Sequence, residues 1–160
     1  MRGTVTLASM FLLILLLTGS AEAHELGCSS VGGDGVLTIE DRTAYDEVLA
    51  ESVSRWNAAT SHVSLRVVES GGDVVVTDSD LGYDGGRYLC SGLIELDRGW
   101  MQGTTFRWRV QALVHEEGHA LGLAHPPTTR YWKKHSIMHP HPIVFYPKRH
   151  DKHDLKIMWS

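Results

Sequence analysis

The sequence predicts a single α+β domain, with an α/β arrangement as its near neighbour. Apolar spacing runs strand, helix, several strands, helix, and then an irregular basic tail. The 160 residues, 42% of them hydrophobic, suit one modest core. No internal repeat or low-complexity linker divides the chain.

The first residues read as an address. Arg2 gives a positive start, Leu7 to Leu17 is an apolar run, and Ala21-Glu22-Ala23 fits an A-x-A cleavage pattern. A membrane-spanning helix needs about 20 apolar residues, and this run is shorter. Acylation of Cys28 is the other alternative, but Glu25-Leu26-Gly27 before it is a poor match. The expectation is a signal peptide over 1–23, cut after Ala23, and a secreted, extracellular domain over 24–160. Export permits a disulfide, and Cys28 with Cys90 is the sole pair available; two buried free thiols are the alternative.

The elements follow in order. Val36 to Ile39 alternates as a short strand. Asp41 can cap a helix reaching Thr60, in which Tyr45, Val48, Leu49, Val53 and Trp56 recur at helical spacing. Val63 to Val68 is a strand ended by Gly71-Gly72. Val74-Val75-Val76 suits a central buried strand. Thr77 to Gly86 reads as a polar loop. Tyr88 to Cys90 and Leu93 to Leu96 are strands around Ser91-Gly92. Thr104 or Thr105 caps a helix running to about Leu123, and a last short helix is expected over Asp154 to Trp159.

Net charge is −4, which argues against a dedicated nucleic-acid binder. The charge is uneven. His24 to His125 holds 7 Lys and Arg against 16 Asp and Glu, whereas Pro126 to Ser160 holds 7 against 2. The plain reading of the tail is a solvated basic surface, and the functional one is attraction to an acidic surface or substrate.

Ten histidines are present, five of them in the tail. The informative stretch is His-Glu-Glu-Gly-His-Ala-Leu-Gly-Leu-Ala-His, residues 115–125. On a helix, His115 and His119 face the same way and can reach one zinc ion. Glu116 can reach a water on that ion without being a ligand. Gly122 can turn left-handed and end the helix, so that His125 returns as third ligand. Three protein ligands leave a position open, as in catalytic zinc sites. Phe106, Val110, Leu113, Val114 and Leu121 form the opposite, packing arc. The bland alternative is a surface helix with incidental histidines.

These residues resemble the metzincin zinc endopeptidases, whose long motif is matched by His115, Glu116, His119, Gly122 and His125. Ser136-Ile137-Met138-His139-Pro140 resembles the clan's Met-turn, with Met138 as its methionine; by itself Met138 would read as core filler. Gly118 to Leu123 is most similar to the matrixin branch, as is Tyr146-Pro147 followed by Asp151, Asp154 and Leu155. The specific motifs span about residues 104–160. The resemblance implies a zincin-like single domain: a twisted, mostly parallel five-stranded sheet, an active-site helix, a backing helix and a short C-terminal helix. It also implies one catalytic zinc and a Met138 floor beneath it.

The chain departs from that pattern in several places. Glu117 stands in the apolar arc and needs a partner or water, Arg66 being one candidate. No histidine lies between His62 and His115, so the branch's second, structural zinc is not expected. Asp78, Asp80 and Asp84 with Gly85-Gly86 could bind Ca2+, although an acidic turn is the plainer reading. A latency segment is not expected, and Cys28 lacks its flanking pattern. His135, His139, His141, His150 and His153 are not needed as ligands and read as surface or pocket residues, although a His-rich tail can bind a second metal. No tyrosine ligand is carried over, since His139 follows Met138.

The expected function is a secreted, monomeric zinc metalloendopeptidase acting on protein or peptide substrate, without nucleic acid or stable membrane insertion. Glu116 is its general base. An extended substrate would pair with an edge strand near Gly86 to Cys90, and His139 to Phe145 would wall the pocket. A non-catalytic exported zinc-containing binding domain, or a zinc hydrolase of cell-wall peptides, is the alternative.

Overall fold

The computed structural model describes residues 23–83 and 85–160. The expected leader and Asp84 lie outside the described residues, apart from Ala23 at the leader's end. Five strands, β1 (Val36–Asp41), β2 (Ser64–Val68), β3 (Val74–Ser79), β4 (Gly86–Leu89) and β5 (Leu93–Asp97), form one sheet in the order β2-β1-β3-β5-β4. All pairings are parallel except β4 with β5. The helices are α1 (Asp46–Ala59), α2 (Arg98–Gly103), α3 (Phe106–Ala120), α4 (Trp132–His135) and α5 (Arg149–Met158). The α+β expectation and the five-stranded, mostly parallel sheet are both observed.

The strands alternate, so one sheet face is apolar and the other polar. Leu37, Ile39, Val74, Val76, Ile94 and Leu96 are buried. Val75, between two buried valines, is only half-buried. The triplet expected to be wholly buried therefore contributes only its alternate members to the core, because helices cover just one face. Helix α1 packs against β2, α3 packs against β4 and β5, and the two helices touch each other. Trp56 of α1 is fully buried at this junction, and its indole N–H donates to Val114 O at 2.9 Å.

Several boundaries differ from expectation for local reasons. The first helix begins at Asp46 rather than after Asp41, because the Asp41 carboxylate folds a turn by accepting from Thr43 N and Oγ1, each at 2.8 Å. Asp97 instead acts as a helix cap, accepting from Trp100 N at 2.7 Å and starting α2, which the glycines at 99 and 103 had hidden. Asp97 also accepts from Leu81 N and Gly82 N, at 2.9 and 2.8 Å, which anchors the loop leading to β4. Helix α3 ends at Ala120 rather than Leu123. Phe106, assigned to its packing arc, is exposed, because it sits in the first turn beyond the reach of the sheet. The last helix starts five residues earlier than Asp154, at Arg149.

Cys28 and Cys90 form the disulfide, with their Cα atoms 5.9 Å apart. It ties the N-terminal segment to the end of β4 across 62 residues of sequence. A loop of that size is worth about 4 kcal/mol in the chain-entropy account. Among the described residues no helix is long and apolar enough to cross a membrane.

Candidate metal centre and active site

The site is built where α3 ends. Gly122 adopts φ +98°, a conformation open to glycine. Gly122 N–H donates to His119 O and Leu123 N–H to Gly118 O, both at 2.9 Å, which is the paired bonding of a Schellman helix stop. The chain reverses there, and His125 comes back over the helix it has just left.

The three predicted ligands meet. His125 Nε2 lies 3.0 Å from His115 Nε2 and 3.0 Å from His119 Nε2. The far nitrogens are fixed by the backbone: His115 Nδ1–H donates to Ile137 O at 2.8 Å and His119 Nδ1–H to Leu123 O at 2.7 Å. With the proton on Nδ1, the Nε2 lone pairs of His115 and His119 point into the shared space. Burial holds His115 down to about 3 and His125 down to about 4, with neighbouring imidazoles adding to both, and it lowers His119 as well. All three rings are therefore neutral at pH 7. Three converging neutral nitrogens repel one another unless a cation sits among them. A tetrahedral ion at about 2.0–2.1 Å separates its ligand atoms by about 3.3 Å, close to the spacing observed. The donor set fits zinc.

Glu116 is the next residue along α3 and is buried beside the rings. Burial pushes its carboxyl up to about 8, opposed by a hydrogen bond from the Tyr88 N–H. Strand β4 can come this close because residue 86 is glycine. A Cβ there would lie 2.7 Å from Glu95 O and 3.4 Å from Glu116 Cγ.

Met138 lies under α3, fully buried. A Cβ at Gly118 would run into Met138 Sδ and Cε and into Trp56 Cζ2. The turn carrying Met138 is held by Asp151 of α5, whose carboxylate accepts from Ser136 Oγ at 2.5 Å, Ile137 N at 3.0 Å and Lys148 N at 2.6 Å. Asp151 thus fixes the carbonyl that orients His115. Its position after Tyr146-Pro147 was visible in the sequence, but its partners were not.

Glu117 is fully buried, and its partner is Ser52 of α1 at 2.7 Å, not Arg66. Arg66 points to solvent from β2. Ser52 has a single proton yet also lies 2.9 Å from Leu49 O. A neutral Glu117 resolves this, donating its own proton to Ser52 while Ser52 donates to Leu49 O. Burial raises the Glu117 carboxyl well above the usual carboxylate range.

A cleft of about 670 Å³ opens over the three histidines. Its upper rim is β4, the edge strand of the sheet, through Gly86, Arg87 and Tyr88. Its lower rim is the segment 140–143 after the Met138 turn. Buried Gln111 of α3 secures that rim, donating from Nε2 to Val144 O at 2.5 Å; nothing in its sequence context marked it. Of the other tail histidines, His141 lines the cleft, His135 stacks on Tyr131, and His139 is buried with Nδ1 accepting from His141 N at 2.9 Å. Asp80 pairs with Arg98 at 2.9 Å, and Asp78 is partly buried behind it. Among the described residues these two belong to no metal-competent cluster.

No protein-family model matches the chain, and no curated protein matches it in sequence. Solved structures do match in fold. One is described as the GM1-bound form of the ECX AB5 holotoxin, with a TM-score of 0.59 at 15% identity over 86% of each chain. Another is myroilysin, with a TM-score of 0.55 at 15% identity over 78% of this chain and 92% of that one. At such identity the likeness is one of fold.

Proposed function

We propose that the protein is an exported, zinc-dependent endopeptidase of metzincin type, with its leader ending at Ala23. The observation that carries this is the convergence of the His115, His119 and His125 Nε2 atoms on one point beside Glu116, at the floor of an open cleft. The fold shared with myroilysin is compatible with this reading.

His115, His119 and His125 would hold the ion. A bound Zn2+ supplies Lewis-acid polarisation of a scissile carbonyl and lowers the pKa of water to about 7. The remaining chemistry belongs to the chain. Glu116, buried beside the rings, would act in its ionised form, which an ion held by the three histidines would favour. Glu116 then takes the proton of the attacking water and delivers it to the leaving amine. The outer edge of β4 receives the substrate as an added antiparallel or parallel strand. The 140–143 rim reads the side chain that follows the cut. Ile137 O and Leu123 O hold the rings in one tautomer throughout.

Casein or a quenched peptide tests the assignment. Cleavage should stop when the ion is removed by a chelator and return on adding Zn2+. Zinc binding with no cleavage across a broad peptide library would instead mark a binding domain.

A further inference from the structure

A second cluster of ligating atoms lies outside the cleft. His24 Nδ1, His150 Nε2 and an Asp154 carboxylate oxygen all stand within 4.8 Å of one another. Asp154 Oδ2 is the hub, 3.2 Å from His24 Nδ1 and 3.2 Å from His150 Nε2. Two features suit a cation here better than the bare side chains. First, His150 Nε2 is buried without a hydrogen-bond partner among the described residues, since its approach to Asp154 is misaligned for N–H donation. Second, the Asp154 carboxylate is buried, and among the described residues its only ionic partners are histidines, with no Lys or Arg. A buried carboxylate without a cation is costly.

We propose that His24, His150 and Asp154 form a second metal site, for a divalent ion of the zinc class. Two imidazoles and one carboxylate suit zinc and its transition-metal neighbours, whereas calcium and magnesium prefer all-oxygen shells. The His24 backbone nitrogen also lies 3.2 Å from Asp154 Oδ2. A cut after Ala23, the cut that the leader pattern predicts, makes that nitrogen an α-amine: as an ammonium it pairs with Asp154 and competes with an ion for the carboxylate, and once deprotonated it adds a fourth donor beside the ring. His150 is held for the role by a tilted contact with Trp132, with ring centroids 4.2 Å apart.

The site is structural. It fastens the first residues of the domain to α5. Those residues are in turn bonded to the segment that leads to His125: Ala124 N donates to His24 O at 2.7 Å and Leu26 N to Gly122 O at 2.8 Å. Occupancy would therefore stiffen the third ligand of the cleft from behind.

The proposal does not depend on peptide cleavage, and the test counts ions. The full chain is expressed, recovered after export, stripped with a chelator and titrated with zinc chloride. Two ions per chain are expected for the parent, one for His125→Ala and one for His150→Phe, which keeps the aromatic contact with Trp132 but removes both ring nitrogens. In the His125→Ala background, zinc should raise the thermal midpoint, and adding His150→Phe should abolish that rise. If His150→Phe fails to fold, His24→Ala should give the same loss of one ion. A parent that binds a single ion lost in His125→Ala overturns the second site. So does a folded His150→Phe or His24→Ala chain that still binds two.

Discussion

Two faces of α3 carry adjacent glutamates with opposite fates. Glu116 turns toward the cleft, where three neutral imidazoles converge and a cation would restore its negative charge. Glu117 turns into the core, where Trp56 and Met138 pack around Gly118 and, among the described residues, only the Ser52 hydroxyl answers it. One residue type, one helix and one degree of burial thus yield a prospective base and an inert carboxylic acid. What faces each carboxyl decides its role, and burial alone does not.

The comparison predicts that the cleft face governs activity and the core face governs stability. On the cleft face, His119→Ala should drop peptide cleavage to background and remove one bound zinc. It should cost only about 1 kcal/mol of stability, the worth of the lost bond to Leu123 O. Denaturant melts of the ion-free proteins alongside turnover check this. A large loss of stability would blur the distinction between the faces.

On the core face, Gly118→Ala should cost about 1–3 kcal/mol, because its Cβ meets Met138 and Trp56. The part that remains folded should still bind zinc. Chemical denaturation and metal analysis of the same sample measure both.

On the same core face, Glu117 sets a pH dependence. Its folded carboxyl titrates well above its ordinary value of 4.5. As pH rises past that value, the unfolded chain releases a proton that the folded chain keeps. Stability should therefore fall with rising pH until the folded group ionises. Glu117→Gln should flatten part of that fall and leave cleavage near the parental rate. A pH series of thermal midpoints for the two proteins reads it directly. An unchanged slope would mean that Glu117 is charged in the fold.

The convergence of the three histidines was legible in the sequence because its parts are local. Spacing of four on a helix aligns His115 with His119, and Gly122 three residues on provides the reversal that returns His125. The five strands were legible from their apolar runs, but Val75 lies on the uncovered face, and both ends of the expected loop Thr77 to Gly86 are strand, Thr77 to Ser79 in β3 and Gly86 in β4. What the sequence hid lies in contacts between distant segments. Ser52 and Glu117 are 65 residues apart, Asp151 holds the Met138 turn from another helix, and His24 meets Asp154 across 130 residues. Asp41 and Asp97 show the same ambiguity locally. Either could cap a helix, and only the neighbouring Thr43 and Trp100 decide which does.

Glu116→Gln is the most direct probe of the central claim, because it removes the base while keeping the size and burial of the side chain. Zinc content and quenched-peptide turnover should be measured on the same preparation. The variant should hold zinc as the parent does, with turnover reduced about 10²–10⁴-fold, the range for loss of general acid–base catalysis. A zinc-loaded Glu116→Gln protein that cleaves at the parental rate would contradict the account.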